Sequence, residues 1–104
     1  RFPFVFKVRY SYVSKFLEKD NAAGNHYHEK KEELLIPLQG NFEIILEDVR
    51  TEEREIINVR CEDNEAVYVP LFVSHKVVSK EDTGLLLVLA SVNSTSEDEI
   101  NYEL

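Results

Sequence analysis

Short runs of β-branched and aromatic residues recur along the chain between polar turns, about ten residues apart, and no stretch holds a helical period. The pattern predicts strands at Val5 to Val13, Glu33 to Leu38, Asn41 to Glu47, Arg54 to Val59, Ala66 to Val69, His75 to Ser79 and Leu85 to Ser91. In "NFEIILED", Phe42, Ile44 and Leu46 share one face while Glu43 and Glu47 take the other, the alternation of a half-buried antiparallel strand. "ELLIPLQ" is apolar on both faces and is expected to be central; Pro37 within it, having no amide hydrogen, predicts a bulge or an unpaired position. Gly40 in "LQGN" marks a tight turn that needs positive φ. The ending, residues 92–104, reads as an acidic tail with at most one helical turn and no functional demand on it. Seven short strands in one chain indicate an all-β sandwich or barrel.

Composition narrows the possibilities. A chain of 104 residues is the size of one domain around a single core. Twelve basic against twenty acidic side chains leave a net charge of −8, so there is no broad positive field for a nucleic-acid backbone or an anionic membrane surface. Neither partner is expected, and a phosphorylated ligand would depend on a few local cations. The opening "RFPFVFKVRYSYV" is interrupted by Lys7 and Arg9 and does not read as a signal peptide; no run approaches the roughly 18 apolar residues of a membrane span. Cys61 has no cysteine to pair with, which suits a cytoplasmic location, and its neighbours Glu62 and Asp63 disfavour a thiolate, so it reads as structural.

The candidate chemistry lies in "GNHYHEKKEELLIPLQG". His26 and His28, two residues apart, project to the same side of an extended segment. Glu33 follows His28 by an odd step and joins them only if the chain bends around Lys30 to Glu32. His75, in "YVPLFVSHKVV", is the third histidine of the chain. Three imidazoles and a carboxylate form a donor set for Zn, Fe, Mn, Co or Ni with positions left open. An imidazole titrating near neutrality is equally suited to move a proton as base and then acid, which makes His26 and His28 candidate catalytic residues without metal. Tyr10 and Tyr12 share a strand face, with Arg9 on the other; Tyr12 is read either as a core aromatic or as a hydrogen-bond donor to a sugar oxygen. Lys30 and Lys31, within "EKKEE", read as a solvated turn.

These spacings carry a resemblance. His-x-His, four residues, Glu, six residues, Gly matches the first cupin motif at His26, His28, Glu33 and Gly40, and Pro, four residues, His matches the core of the second at Pro70 and His75. Phe72 stands where that motif usually has glycine, and Ser79 where it often has asparagine. The resemblance implies a double-stranded β-helix, a jelly-roll barrel, with its site in the mouth. Over nearly the whole length the chain looks like the sugar-nucleotide 3,4-ketoisomerases, the WxcM-like cupins, which act on thymidine-diphosphate 4-keto-6-deoxy sugars in making surface polysaccharides, and many of which are dimers. Their site run reads Arg-Gly-x-His-Ala-His; here the glycine falls on Gly24, the histidines on His26 and His28, a tyrosine of the early strand on Tyr12, and the arginine position holds Ala23. Arg9 is the nearest cationic substitute for it. Glu33 replaces a glutamine usual in those isomerases and restores the carboxylate of metal-binding cupins.

The expectation is therefore a homodimeric cupin that isomerises a keto sugar or nucleotide-linked sugar, binding it through Tyr12 and Arg9 and needing no cofactor. The rival is a metal-dependent cupin using His26, His28, Glu33 and His75 on another small molecule. Behind both stands a non-catalytic sugar-binding or interaction domain.

Overall fold

The inward-facing alternation builds two antiparallel sheets. The structure, a computed structural model, describes residues 6–92 and 95–104. Its strands are β1 (Tyr10–Phe16), β2 (Ala22–Tyr27), β3 (Glu33–Gln39), β4 (Asn41–Asp48), β5 (Arg54–Arg60), β6 (Val67–Val69), β7 (Val73–Ser79), β8 (Gly84–Ala90) and β9 (Ile100–Asn101). One sheet has the order β1-β8-β3-β6 and the other β5-β4-β7-β2-β9. This is the expected all-β jelly roll. No helix among the described residues is long and apolar enough to cross a membrane.

Phe42, Ile44 and Leu46 of β4 point into the space between the sheets, where they meet Leu35, Leu86, Val88, Val77 and Phe16. Phe16 and Phe42 pack edge to face with ring centroids 5.2 Å apart, the arrangement that aromatic quadrupoles favour. Each such side chain removed from water contributes about 1.5–3 kcal/mol. β3 is central, between β8 and β6, and its pairing with β8 slips between Pro37 and Gln39, where proline cannot donate. The Gly40 turn carries the chain from one sheet to the other. Its φ of 86° and the Thr83 carbonyl oxygen, 2.7 Å from where a Cβ would sit, leave room only for glycine.

Three elements differ from expectation. The first strand starts at Tyr10 and extends to Phe16, because Tyr10, Tyr12, Ser14 and Phe16 continue one face past the polar residues that seemed to end it. The beginning of the expected strand, at Val5, lies outside the described residues. β2 carries two alanines, a glycine and no β-branched side chain, so propensity does not mark it; pairing with β7 on one side and β9 on the other makes it a strand. The acidic ending is not free. Ser96–Asp98 forms a single 3-10 turn and Ile100–Asn101 becomes the edge strand beside β2.

The β2–β7 ladder contains one extra residue. Gly24 faces Lys76 and His26 faces His75, so Asn25 has no partner of its own on β7. Uninterrupted pairing from Ala22 opposite Val78 would have set His26 against Ser74. The bulge requires positive φ at Gly24 (110°) and Asn25 (65°), and a Cβ on Gly24 would lie 2.4 Å from the His75 carbonyl oxygen. Gly24→Ala is therefore expected to lower the free energy of unfolding by about 2 kcal/mol or more. Urea denaturation of the parent and the variant measures this; an unchanged midpoint would refute the close-approach argument.

Candidate active site

The extra residue in β2 places His26 directly opposite His75, with ring centroids 4.8 Å apart. His28, one residue past β2, lies 5.0 Å from His26 and 5.8 Å from His75, centroid to centroid. One nitrogen from each ring falls within 4.8 Å of the others. Glu33 opens β3, in the opposite sheet, and its Oε1 is 3.5 Å from His75 Nε2 and 4.0 Å from His28 Nε2. The expected bend occurs, at Glu29–Lys30, one residue earlier than anticipated. The four residues singled out from spacing thus converge between the sheets.

The bend is held from far along the chain. The Asp98 carboxylate accepts hydrogen bonds from the amides of Glu29 (2.8 Å) and Lys30 (3.2 Å), and the Asp98 carbonyl accepts one from His28 Nδ1–H at 2.7 Å. With that proton on Nδ1, Nε2 turns its lone pair toward Glu33. The bulge is tied to the same segment: the Tyr102 amide donates to the Asn25 carbonyl and the Leu104 amide to Asn25 Oδ1. Ser74, beside His75, donates its hydroxyl to the Tyr102 carbonyl. The ending read as functionless orients two of the three imidazoles. No local sequence signal announces this, since Asp98 and His28 are separated by 70 positions.

The interior is polar and nearly sealed. His28 is 2% exposed, Glu33 1% and Lys31 2%. Lys31 is not part of a solvated turn: its Nζ lies 3.3 Å from Glu33 Oε2, so the carboxylate is balanced on one side by an ammonium while its other oxygen faces the imidazoles. Burying a carboxylate without a partner costs several kcal/mol, which explains why a lysine accompanies it. Burial pushes His75 down to about 3, the neighbouring imidazoles adding to the effect, and burial likewise holds His28 below its usual value against the opposing pull of Glu33.

A cavity of about 70 Å³ reaches this cluster between β1 and β2, lined by Tyr12, Ser14, Ala23, His26, Glu33 and His75 over an apolar floor that includes Leu35 and Val88. Tyr12 stands at the rim, 37% exposed, so it is not a core aromatic. Burial and then Glu33 and Glu99 raise its phenol, which keeps it a hydrogen-bond donor. Arg9 is exposed, does not line the cavity and falls on the strand face opposite Tyr10 and Tyr12. Phe72 takes the left-handed backbone that its glycine counterpart would adopt (φ 63°), with its amide donating to the His28 carbonyl and its ring against Tyr27 and Arg50, away from the cavity.

Among the described residues, the buried atoms His28 Nε2, Glu33 Oε1 and His75 Nδ1 have no hydrogen-bond partner. Two acceptors facing each other across 4.0 Å, His28 Nε2 and Glu33 Oε1, cannot satisfy one another; a proton, a water or a cation between them can. The donor set therefore fits a divalent transition metal held by His26, His28 and His75 with Glu33 beside them.

Two outcomes follow. Asp98→Ala removes the acceptor at the bend and is expected to cost about 1–3 kcal/mol in urea denaturation, with Asp98→Asn, which keeps one acceptor oxygen, costing clearly less. Equal losses would mean that the bend does not depend on that oxygen. His75, depressed in the folded chain, stays neutral there while its unfolded counterpart protonates below pH about 6.5, so its stabilising contribution is complete above that pH and is lost as pH falls toward about 3. In chelator-treated protein, stability should fall by up to about 1.4 kcal/mol per pH unit in that window from this ring, and His75→Gln should flatten the dependence.

Comparison with known proteins agrees with this architecture. The signature of the family described as FdtA: WxcM-like, C-terminal matches residues 2–103. A search of curated proteins finds no match. Among solved structures, the capsular polysaccharide assembling protein CapF of Staphylococcus aureus superposes with a TM-score of 0.85 at 19% identity, over 95% of this chain and 29% of that one. The dTDP-4-dehydrorhamnose 3,5-epimerase of Bacillus anthracis superposes with a TM-score of 0.87 at 12% identity, over 94% and 61%. At those identities the likeness concerns the fold, and this chain spans less than a third of CapF. A mutant of the 3,4-ketoisomerase QdtA from Thermoanaerobacterium thermosaccharolyticum, in complex with TDP-4-keto-6-deoxyglucose, is 27% identical with a TM-score of 0.82, over 93% and 68%. With that signature matched over residues 2–103 and its imidazoles gathered between the sheets of a jelly roll, this chain belongs to the FdtA, WxcM-like C-terminal family.

Proposed function

We propose that the chain is a sugar-modifying cupin that isomerises a keto sugar, free or nucleotide-linked, in the assembly of surface polysaccharides. The observation that carries this reading is His26, half-buried and lining the cavity, with the Tyr12 hydroxyl at the same mouth. Moving a carbonyl to the neighbouring carbon requires removing a proton beside it, holding the enediolate and delivering a proton to the other carbon. His26 is placed to take and return that proton. Tyr12, kept protonated, donates to the developing oxyanion. Burial holds both His28 and His75 below their usual values, so neither ring puts a fixed positive charge beside the base.

The unpartnered His28 Nε2 and Glu33 Oε1 favour a second reading, in which His26, His28, His75 and Glu33 hold a divalent metal. Such a metal supplies Lewis-acid polarisation of a substrate oxygen. His26 cannot serve both readings at once, because a ligating lone pair does not accept a proton.

Incubation in deuterated water with a panel of 4-keto-6-deoxy sugars, free and linked to thymidine diphosphate, tests the first reading. Deuterium is expected beside the carbonyl, followed by a rearranged product of unchanged composition. His26→Asn is expected to slow exchange by about 10²-fold or more, and Tyr12→Phe to slow it by a comparable factor. Undiminished exchange in His26→Asn, or none by the parent protein, would sink it. Stoichiometric metal retained after purification without an affinity metal, and lost in His75→Ala, would establish the second.

A further inference from the structure

We propose that Lys31 is a built-in counter-ion of Glu33 that keeps the affinity of the histidine cluster for divalent metal low, so that removing its charge turns the cluster into a tight metal site. The inference rests on the metal reading given above and adds the residue that sets its strength. It is carried by the burial of Lys31 and by the group its ammonium meets.

Lys31 and Glu33 are two positions apart where the chain enters β3, and both are buried, Lys31 at 2% exposure and Glu33 at 1%. Glu32 between them turns the other way and accepts a hydrogen bond from the Tyr68 hydroxyl. Among the described residues no other lysine or arginine is buried. Arg50, Arg54, Arg60 and Lys80 pair with carboxylates at the surface. The Lys31 Nζ lies 3.3 Å from Glu33 Oε2, while Oε1 of the same carboxylate lies 3.5 Å from His75 Nε2 and 4.0 Å from His28 Nε2. One carboxylate therefore stands between an ammonium and two imidazoles. Lys31 does not line the cavity, so a ligand entering there does not meet it.

A metal centre of three imidazoles and a carboxylate needs no ammonium. A divalent ion would itself compensate Glu33, and a buried lysine beside it adds the cost of desolvating a further charge. The ammonium acts on such an ion in two ways. It takes up one oxygen and part of the charge of the carboxylate that would complete the ligand set, and it repels a dication across a poorly screened interior. Its field already reaches the rings: burial is the main reason that His28 and His75 lie below their usual values, and Lys31 adds to it at both. Asp98, the other carboxylate near the cluster, lies 3.9 Å from His28 Nδ1 and is occupied by the amides of Glu29 and Lys30. Glu33 is then the carboxylate for which the ammonium and a metal compete.

The test is zinc affinity, read by competition with a chromogenic chelator on the full chain, in the parent and in Lys31→Met, Lys31→Arg and Glu33→Gln. Lys31→Met is expected to bind zinc about tenfold or more tightly than the parent, and Lys31→Arg, which keeps the charge, to stay within about threefold of it. Glu33→Gln is expected to weaken zinc by a larger factor in the Lys31→Met background than in the parent, because only there is the carboxylate wholly available. A packing role for Lys31 would leave the two factors equal. Zinc is also expected to raise the urea midpoint of Lys31→Met more than that of the parent, which reads the same affinity even where the variant folds poorly without metal. Zinc bound by Lys31→Met no more tightly than by the parent would overturn the inference and leave the metal reading standing. Zinc bound by none of these proteins would remove both, and neither result touches deuterium exchange with keto sugars.

Discussion

The site depends on one unpaired residue. Asn25 is the extra position in β2, and without it His26 would sit opposite Ser74 and not His75. A bulge of this kind leaves backbone polar groups that must find other partners, and here the C-terminal segment supplies one: the Tyr102 amide donates to the Asn25 carbonyl, while the Leu104 amide donates to the Asn25 side chain and the Asn101 strand position pairs with His26. The same segment holds His28 through the Asp98 carbonyl and bends the chain toward Glu33 through the Asp98 carboxylate. Fold and site are coupled at this strand edge.

The cluster is costly as a structural element. Three imidazoles, a carboxylate and an ammonium lie beside a hydrophobic core cluster of Leu, Ile, Val and Phe. Lys31 offsets part of the charge of Glu33, and burial keeps His75 neutral, yet among the described residues three buried side-chain atoms still lack a partner. Well-packed hydrophobic residues of similar volume often equal or exceed the stability of such an arrangement. Three of its members, His26, Glu33 and His75, line the cavity, which packing alone does not require.

Much of this was legible along the chain. The inward alternation of Phe42, Ile44 and Leu46, the central position of β3 and the slipped pairing at Pro37 all follow from short-range pattern. His26, His28, Glu33 and His75 stood out by spacing, and the bend needed to unite them could be deduced from parity. What was missed has physical causes. β2 has weak strand propensity and is a strand because it is hydrogen-bonded on both sides. Lys31 sits in a run of charges that looks solvated, but it turns inward to a carboxylate two residues on.

By itself the sequence determined the fold class, seven of the strands in their order along the chain and the identity of the convergent imidazoles, because alternation with period two and motif spacing are local properties of the chain. Only the tertiary structure decided which histidine meets the cavity, that Tyr12 stands at its mouth, and that the acidic ending is part of the site. Those outcomes depend on register and on hydrogen bonds between residues some 70 positions apart, such as Asp98 with His28. A backbone bond of that kind leaves no trace in local composition, since any residue can supply the carbonyl.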